Sequence, residues 1–249
     1  MIYEYNQQQS IIPGQVTKFR DEFFRAELKA PHVPCFAQCD CRMPDFTDAY
    51  GCSGFCYRWA NGDDLVFRSV READLFHKDV PFEFVDEVMK VIEATPQHKY
   101  QLLTKRANLM HQYFTLKGFV PDNVWVGVTM EDAKANERLW YLKYLKYTFD
   151  AKVTYLSCEP LLGDLGRLSL DGIDWVIVGG ESGSQARKMS KEWVLNIQRQ
   201  CDEQDVPFFF KQWGTWGEDG EKRNKEANGN LLNGQLYQEW PKAWKGGEK

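Results

Sequence analysis

The chain has 249 residues, 43% of them hydrophobic, enough to bury a full-sized core as one large domain or two small ones. Its 31 basic and 36 acidic residues are well mixed and leave a net charge of −5. That argues against a broadly basic nucleic-acid-binding surface, though not against a local basic groove. No apolar run approaches the roughly 18 residues of a membrane span. The opening stretch MIYEYNQQQSIIPGQ lacks the charged-then-apolar layout of a signal peptide. The expectation is a cytoplasmic protein with no membrane partner, whose thiols stay mostly reduced.

Residues 1–30 read as an N-terminal extension. Residues 34–57, PCFAQCDCRMPDFTDAYGCSGFCY, then hold five of the seven cysteines in the chain. An odd count in a reducing compartment makes disulfides the least favoured use of them. Thiolates at short spacing wrap a soft metal, with the polar residues between them letting the backbone turn. Cys35/Cys39 and Cys52/Cys56 suit a structural zinc, with Cys41 spare. A catalytic iron–sulfur cluster would instead take three cysteines and leave one iron open to a ligand. Spacing alone leaves zinc and iron–sulfur both open.

Past the cysteine loop, short β-rich runs recur: DLVFRS (64–69), KYQLLT (99–104), NVWVGVT (123–129), KVTYLS (152–157), DWVIVGG (174–180) and VPFFFK (206–211). They are continuous apolar runs, which suits strands buried on both faces. Helical spacing fills most of the gaps. In residues 79–95, Asp79 is an N-cap candidate, Pro81 falls near the first turn, and Phe84, Val88 and Ile92 follow at intervals of four. Residues 105–118 end on Gly118, a C-cap candidate. Residues 130–146 and 190–204 complete the set, the latter with Ser190 as a cap. Residues 160–173 read as a loop. Strand–helix alternation of this kind argues for a parallel sheet with right-handed crossovers, in an open or a barrel form.

Polar residues favour the barrel. Nearly every run ends in them: Ser69 followed by Glu72 and Asp74, Thr104–Lys105–Arg106, Thr129 with Glu131, Glu159, Glu181, and Lys211–Gln212. In a barrel these ends converge on one mouth, where barrel active sites sit. Lys105 and Arg106 suggest an anionic ligand, while the glycine-rich turn in WVIVGGESGSQAR allows close backbone approach. That turn is neither G-x-G-x-x-G nor a P-loop. Cys158 and Cys201 read as small packed hydrophobes, and His77 as a loop histidine. From Gly217 on the chain is polar, with an Asn-Gly hairpin signal at 233–234. The division is therefore 1–30 extension, 31–216 barrel, 217–249 tail.

The ordered motifs ADLFHKDVP, YQLLTKR, NVWVGVTMED, YLSCEPLLG, DWVIVGGESG, VPFFFKQWG and NGNLLNGQLYQEWP span roughly residues 64–241. Together they resemble a phage- and bacterium-associated family of largely uncharacterised proteins, grouped by sequence with the radical S-adenosylmethionine enzymes. The resemblance implies an α/β fold, a partial (β/α) barrel of about six parallel strands, with a [4Fe–4S] cluster at its mouth. It implies three cysteine cluster ligands, read as Cys52 and Cys56 with Cys41 favoured over Cys35 and Cys39 as the third, S-adenosylmethionine as second cofactor, and a 5′-deoxyadenosyl radical that abstracts hydrogen from substrate. The cysteine loop departs from the family pattern, since three residues rather than two separate Cys52 from Cys56.

Mapped onto the strand ends, Gly179, Gly180 and Glu181 would contact S-adenosylmethionine, with Gln212 nearby. Thr104, Lys105 and Arg106 would hold its carboxylate or an anionic substrate. Lys105, Glu159 and Lys211 are the catalytic candidates. Implied partners are a small-molecule or nucleobase substrate, an electron donor of the flavodoxin or ferredoxin type, and nucleic acid as a further option. The alternative is a zinc-stapled, non-catalytic barrel that binds nucleic acid or a protein. A metal-dependent hydrolase is weaker, because the chain's four histidines include no paired ligand spacing.

Overall fold

Six apolar runs of four to six residues become six strands, because each is long enough for a ladder and apolar enough to be covered on both sides. In the computed structural model, which describes residues 56–58, 65–68, 74–96 and 98–244, the strands are β1 (Cys56–Arg58), β2 (Leu65–Arg68), β3 (Lys99–Thr104), β4 (Val124–Thr129), β5 (Val153–Cys158), β6 (Trp175–Gly179) and β7 (Phe208–Gln212). The helices between them are α1 (Phe82–Ala94), α2 (Ala107–Lys117), α3 (Arg138–Phe149) and α4 (Lys191–Glu203).

The sheet order is β1-β2-β3-β4-β5-β6-β7. Strands β3 to β7 run parallel, β2 joins β3 in parallel, and β1 lies antiparallel beyond it. Each parallel strand is the neighbour of the one before it. The order never reverses, as it must in a doubly wound sheet. A singly wound α/β sheet of this kind is compatible with a partial barrel, and it brings all C-terminal strand ends to one side.

Alternation divides the strands between two cores. Leu102, Val126, Leu156, Val178 and Phe210 pack with the helices, as do Phe84, Met89 and Ile92 of α1 and Val194 and Ile197 of α4. The other face carries Trp125, Val153, Tyr155, Trp175 and Ile177, closed by Trp244 and Trp240 from the end of the chain. Trp240 stacks on Trp175 at 5.0 Å between centroids, and Trp244 meets Trp125 edge-on at 5.5 Å. Each such ring covers on the order of 200 Å², an upper bound of about 5 kcal/mol in transfer free energy.

The tail also protects an edge. Phe210 donates to Tyr237 O at 2.8 Å and Glu239 donates to Phe208 O at 3.2 Å, so residues 237–239 run against β7 and cover its exposed ladder. Upstream of this strap is the hairpin expected at 233–234. Strands β8 (Leu231–Leu232) and β9 (Gln235–Leu236) flank Asn233 and Gly234, whose φ values of 51° and 75° are those a tight primed turn requires.

Two helix starts change, and the loop expected at 160–173 is found. Helix α3 begins at Arg138 rather than at 130, with a single 3-10 turn at 133–135 before it. Helix α1 starts after Pro81 rather than from an Asp79 cap, because Pro81 is extended (φ −70°, ψ 147°) and itself occupies the N-cap position. The stretch 160–173 has no helix or strand, yet Leu161, Leu165, Leu168 and Leu170 are buried. Helix α4 supplies the missing ladder. Gln200 accepts from Leu168 N–H at 2.7 Å, Gln204 accepts from Leu170 N–H at 2.8 Å, and Gln200 Nε2 donates to Gly166 O at 2.9 Å. Spaced four apart on one helix face, the two amides substitute for backbone partners. No helix among the described residues is long and apolar enough to cross a membrane.

Candidate functional site

At the C-terminal strand ends lies a cleft of about 450 Å³. Lys105 lines it after β3, Glu131, Asp132, Lys134, Ala135 and Arg138 after β4, Pro160 and Leu162 after β5, and Glu181 and Arg187 after β6. Glu131 is its hub. Lys105 Nζ bonds to Oε1, and Arg138 Nη1 reaches Oε2 at 2.8 Å while also donating to Thr129 O. Burial alone would raise the Glu131 pKa, but the hydrogen bonds from Lys105 and Arg138 outweigh it and hold the carboxyl below its ordinary value.

Across the cleft, Glu181 is gripped by Arg187. The guanidinium donates from Nε at 2.9 Å and Nη2 at 2.8 Å, and the Arg187 backbone N–H adds a third bond at 2.8 Å. The loop carrying this pair is fixed from behind: Gly183 N donates to Thr215 Oγ1 at 2.9 Å, and Trp216 Nε1 to Ala186 O at 2.7 Å.

Beside the cleft, on the aromatic face of the sheet, Glu159 and Lys211 form a partly buried ion pair at 3.2 Å. Ser157 Oγ lies 3.2 Å from the other carboxylate oxygen. The side chains come from β5 and β7 and meet over β6, and this explains the two glycines. A Cβ on Gly179 would lie 2.5 Å from Glu159 Oε1, and one on Gly180 would lie 1.8 Å from the Trp213 carbonyl oxygen. Both glycines therefore have a packing reason within the chain.

Of the residues singled out from the sequence, Lys105 and Glu181 line the cleft, and Glu159 and Lys211 stand beside it. Gln212 Nε2 reaches Ser182 Oγ at 3.2 Å and Gly180 O at 3.4 Å, at the rim of the glycine turn. Thr104 and Arg106 form a separate knot. Thr104 Oγ1 donates to Asp74 at 2.7 Å and Arg106 Nη1 to the same carboxylate at 2.7 Å. Alternation explains this, since Thr104 shares the helix-facing side of β3 with Leu102. Cys41 and Cys52 lie outside the described residues. Cys56 begins β1, opposite Phe67 of β2.

Lys134, Arg138 and Arg187 were not legible as site residues. They lie several positions beyond their strand ends, past the first polar residue that marks a strand's exit. Cys158 and Cys201 are fully buried, and burial pushes both thiols up, Cys201 to about 12. Among the described residues, no three His, Cys, Asp or Glu side chains group as a metal site.

One family model matches, over residues 55–241, and its description is "Protein of unknown function (DUF5131)". No curated protein matches this chain, and no solved structure does. The matched span takes in all seven strands of the sheet and, of the five clustered cysteines, only Cys56, and the chain belongs to this family of unknown function.

Proposed function

We propose that this protein is a radical S-adenosylmethionine enzyme, with a [4Fe–4S] cluster held by Cys41, Cys52 and Cys56 and a catalytic centre at the C-terminal strand ends. The observation that carries the reading is topological. Cys56, last of the five clustered cysteines, is the first residue of β1. Because β1 runs antiparallel to β2, that residue lies at the C-terminal end of β2, on the side of the sheet where the cleft opens.

The donor chemistry fits. Five thiols within 24 residues exceed the three that such a cluster needs, and they are soft ligands for iron and sulfide. When bound, the cluster and S-adenosylmethionine together supply a reductively generated carbon radical. The chain's own part is to bind, orient and exclude. Gly179, Gly180 and Gln212 shape the turn beneath the cofactor, and Glu181 stands fixed by Arg187. Glu159 and Lys211 present a charged pair to the substrate, over an aromatic floor that keeps water out.

The test is turnover. Anaerobically reconstituted, dithionite-reduced protein is incubated with S-adenosylmethionine, and 5′-deoxyadenosine and methionine are quantified. Cleavage that disappears in Cys52→Ala supports the proposal; no cleavage by cluster-loaded protein refutes it.

A further inference from the structure

We propose that the cleft receives the phosphate of a phosphorylated substrate of nucleotide size, gripped by Lys105, Lys134, Arg138 and Arg187. The argument is a donor inventory. The cleft is lined by these four cations and by three carboxylates, Glu131, Asp132 and Glu181. Both oxygens of Glu131 and both of Glu181 already accept from Lys105, Arg138 and Arg187. Asp132 caps the turn at 133–135 by accepting from Lys134 N–H at 2.9 Å.

The cations are not used up in the same way. Arg187 spends Nε and Nη2 on Glu181 and keeps Nη1. Arg138 spends Nη1 and keeps the rest of its fork. Lys134 is exposed, and no hydrogen bond or ion pair among the described residues engages its ammonium. The remaining hydrogen-bonding capacity is therefore mostly donor, with one cation in excess. That combination calls for an anion with several acceptors.

Phosphate fits better than carboxylate. A carboxylate is saturated by one forked guanidinium, whereas a phosphate monoester offers three oxygens and up to two charges to cations arriving from separate loops. Ala135, Pro160 and Leu162 add an apolar wall for an uncharged body. The chain's net charge of −5 disfavours a long polyanion, so the fit is to a small phosphate ester rather than to duplex nucleic acid. Calling that ligand the substrate rests on the catalytic reading above; the anion site itself does not.

The experiment is calorimetric titration of the full chain at low salt, without S-adenosylmethionine or reductant. The probes are a nucleoside 5′-monophosphate, the matching nucleoside, inorganic phosphate and L-methionine. The monophosphate should bind at least about tenfold more tightly than the nucleoside, weaken as salt rises, and be displaced by inorganic phosphate. Lys134→Ala should weaken it about tenfold and leave nucleoside binding unchanged, and Arg187→Ala should also weaken it about tenfold. Arg187→Ala removes the clamp on Glu181 as well, whereas the Lys134 ammonium engages no hydrogen bond or ion pair among the described residues, so Lys134→Ala decides the matter. Equal affinity for nucleoside and monophosphate, or displacement by methionine and not by phosphate, would overturn the proposal. So would an unaltered Lys134→Ala. Because no cluster or cofactor takes part, failure here leaves the radical reading standing, and failure of that reading leaves a positive result here intact.

Discussion

Gly179→Ala isolates the contact at the heart of the site. The new Cβ would stand 2.5 Å from Glu159 Oε1 and 3.2 Å from its Cγ, so the carboxylate must retreat by about 1 Å to reach ordinary contact. It is not free to do so cheaply. The same oxygen lies 3.2 Å from Lys211 Nζ, and the other oxygen lies 3.2 Å from Ser157 Oγ. Overpacking of this kind costs about 1–3 kcal/mol, while alanine in place of glycine within a strand returns about 0.5–1. The net loss is about 0–2.5 kcal/mol, or a melting temperature lower by up to roughly 10 °C for a chain of this size. A double-mutant cycle read by thermal or denaturant unfolding tests the cause. In a Glu159→Ala background the obstruction is gone, so adding Gly179→Ala should be neutral or slightly stabilising. Gly180→Ala, whose Cβ meets backbone at Trp213, should stay destabilising in both backgrounds. If Gly179→Ala costs the same with and without Glu159, the glycine is not there to admit the carboxylate and the reasoning fails.

Three further outcomes follow from the same geometry. Gln200→Ala removes the acceptor of Leu168 N–H and the shorter of two donors to Gly166 O, so chemical denaturation should show a loss of about 2 kcal/mol, with faster hydrogen exchange at Leu168. The Cys201 thiol, held up to about 12 by burial first and then by Asp202 and Glu239, keeps its proton in the folded state while the unfolded chain loses it above about 9. Stability should therefore fall between pH 9 and 12, by up to about 1.4 kcal/mol per pH unit from this group, and Cys201→Ala should flatten that limb of the unfolding profile. Trp244→Ala opens the aromatic floor beneath the sheet and should cost about 3 kcal/mol in urea unfolding; a neutral result would mean that the end of the chain does not seal that face.

The strands could be read from the sequence because each is a short apolar run stopped by a polar residue, and β3 falls on the expected residues 99–104. Their parallel alternation was legible and the polar strand ends favoured a barrel form, but the pairing itself is set by long-range packing that leaves no local mark. What the sequence did offer was the polar strand ends, and these do collect on one side. Thr104 and Arg106 illustrate the limit of that signal. Residue type places a polar group at a strand end, but strand parity turns Thr104 towards Asp74 and away from the cleft. Lys134, Arg138 and Arg187 reach the cleft only through the path of the loops after β4 and β6, which no spacing rule encodes. The loop at 160–173 was legible as a loop, but its burial was not, since glutamines thirty residues later provide its hydrogen bonds.

The measurement that bears most directly on the central claim is the metal and acid-labile sulfide content of anaerobically purified protein, taken with its absorbance before and after dithionite. The account predicts about four irons and four sulfides per chain, with visible absorbance that bleaches on reduction and is lost in Cys52→Ala. One zinc per chain without sulfide would contradict it, and would make the cysteine-rich segment a structural staple on an α/β sheet with a different task.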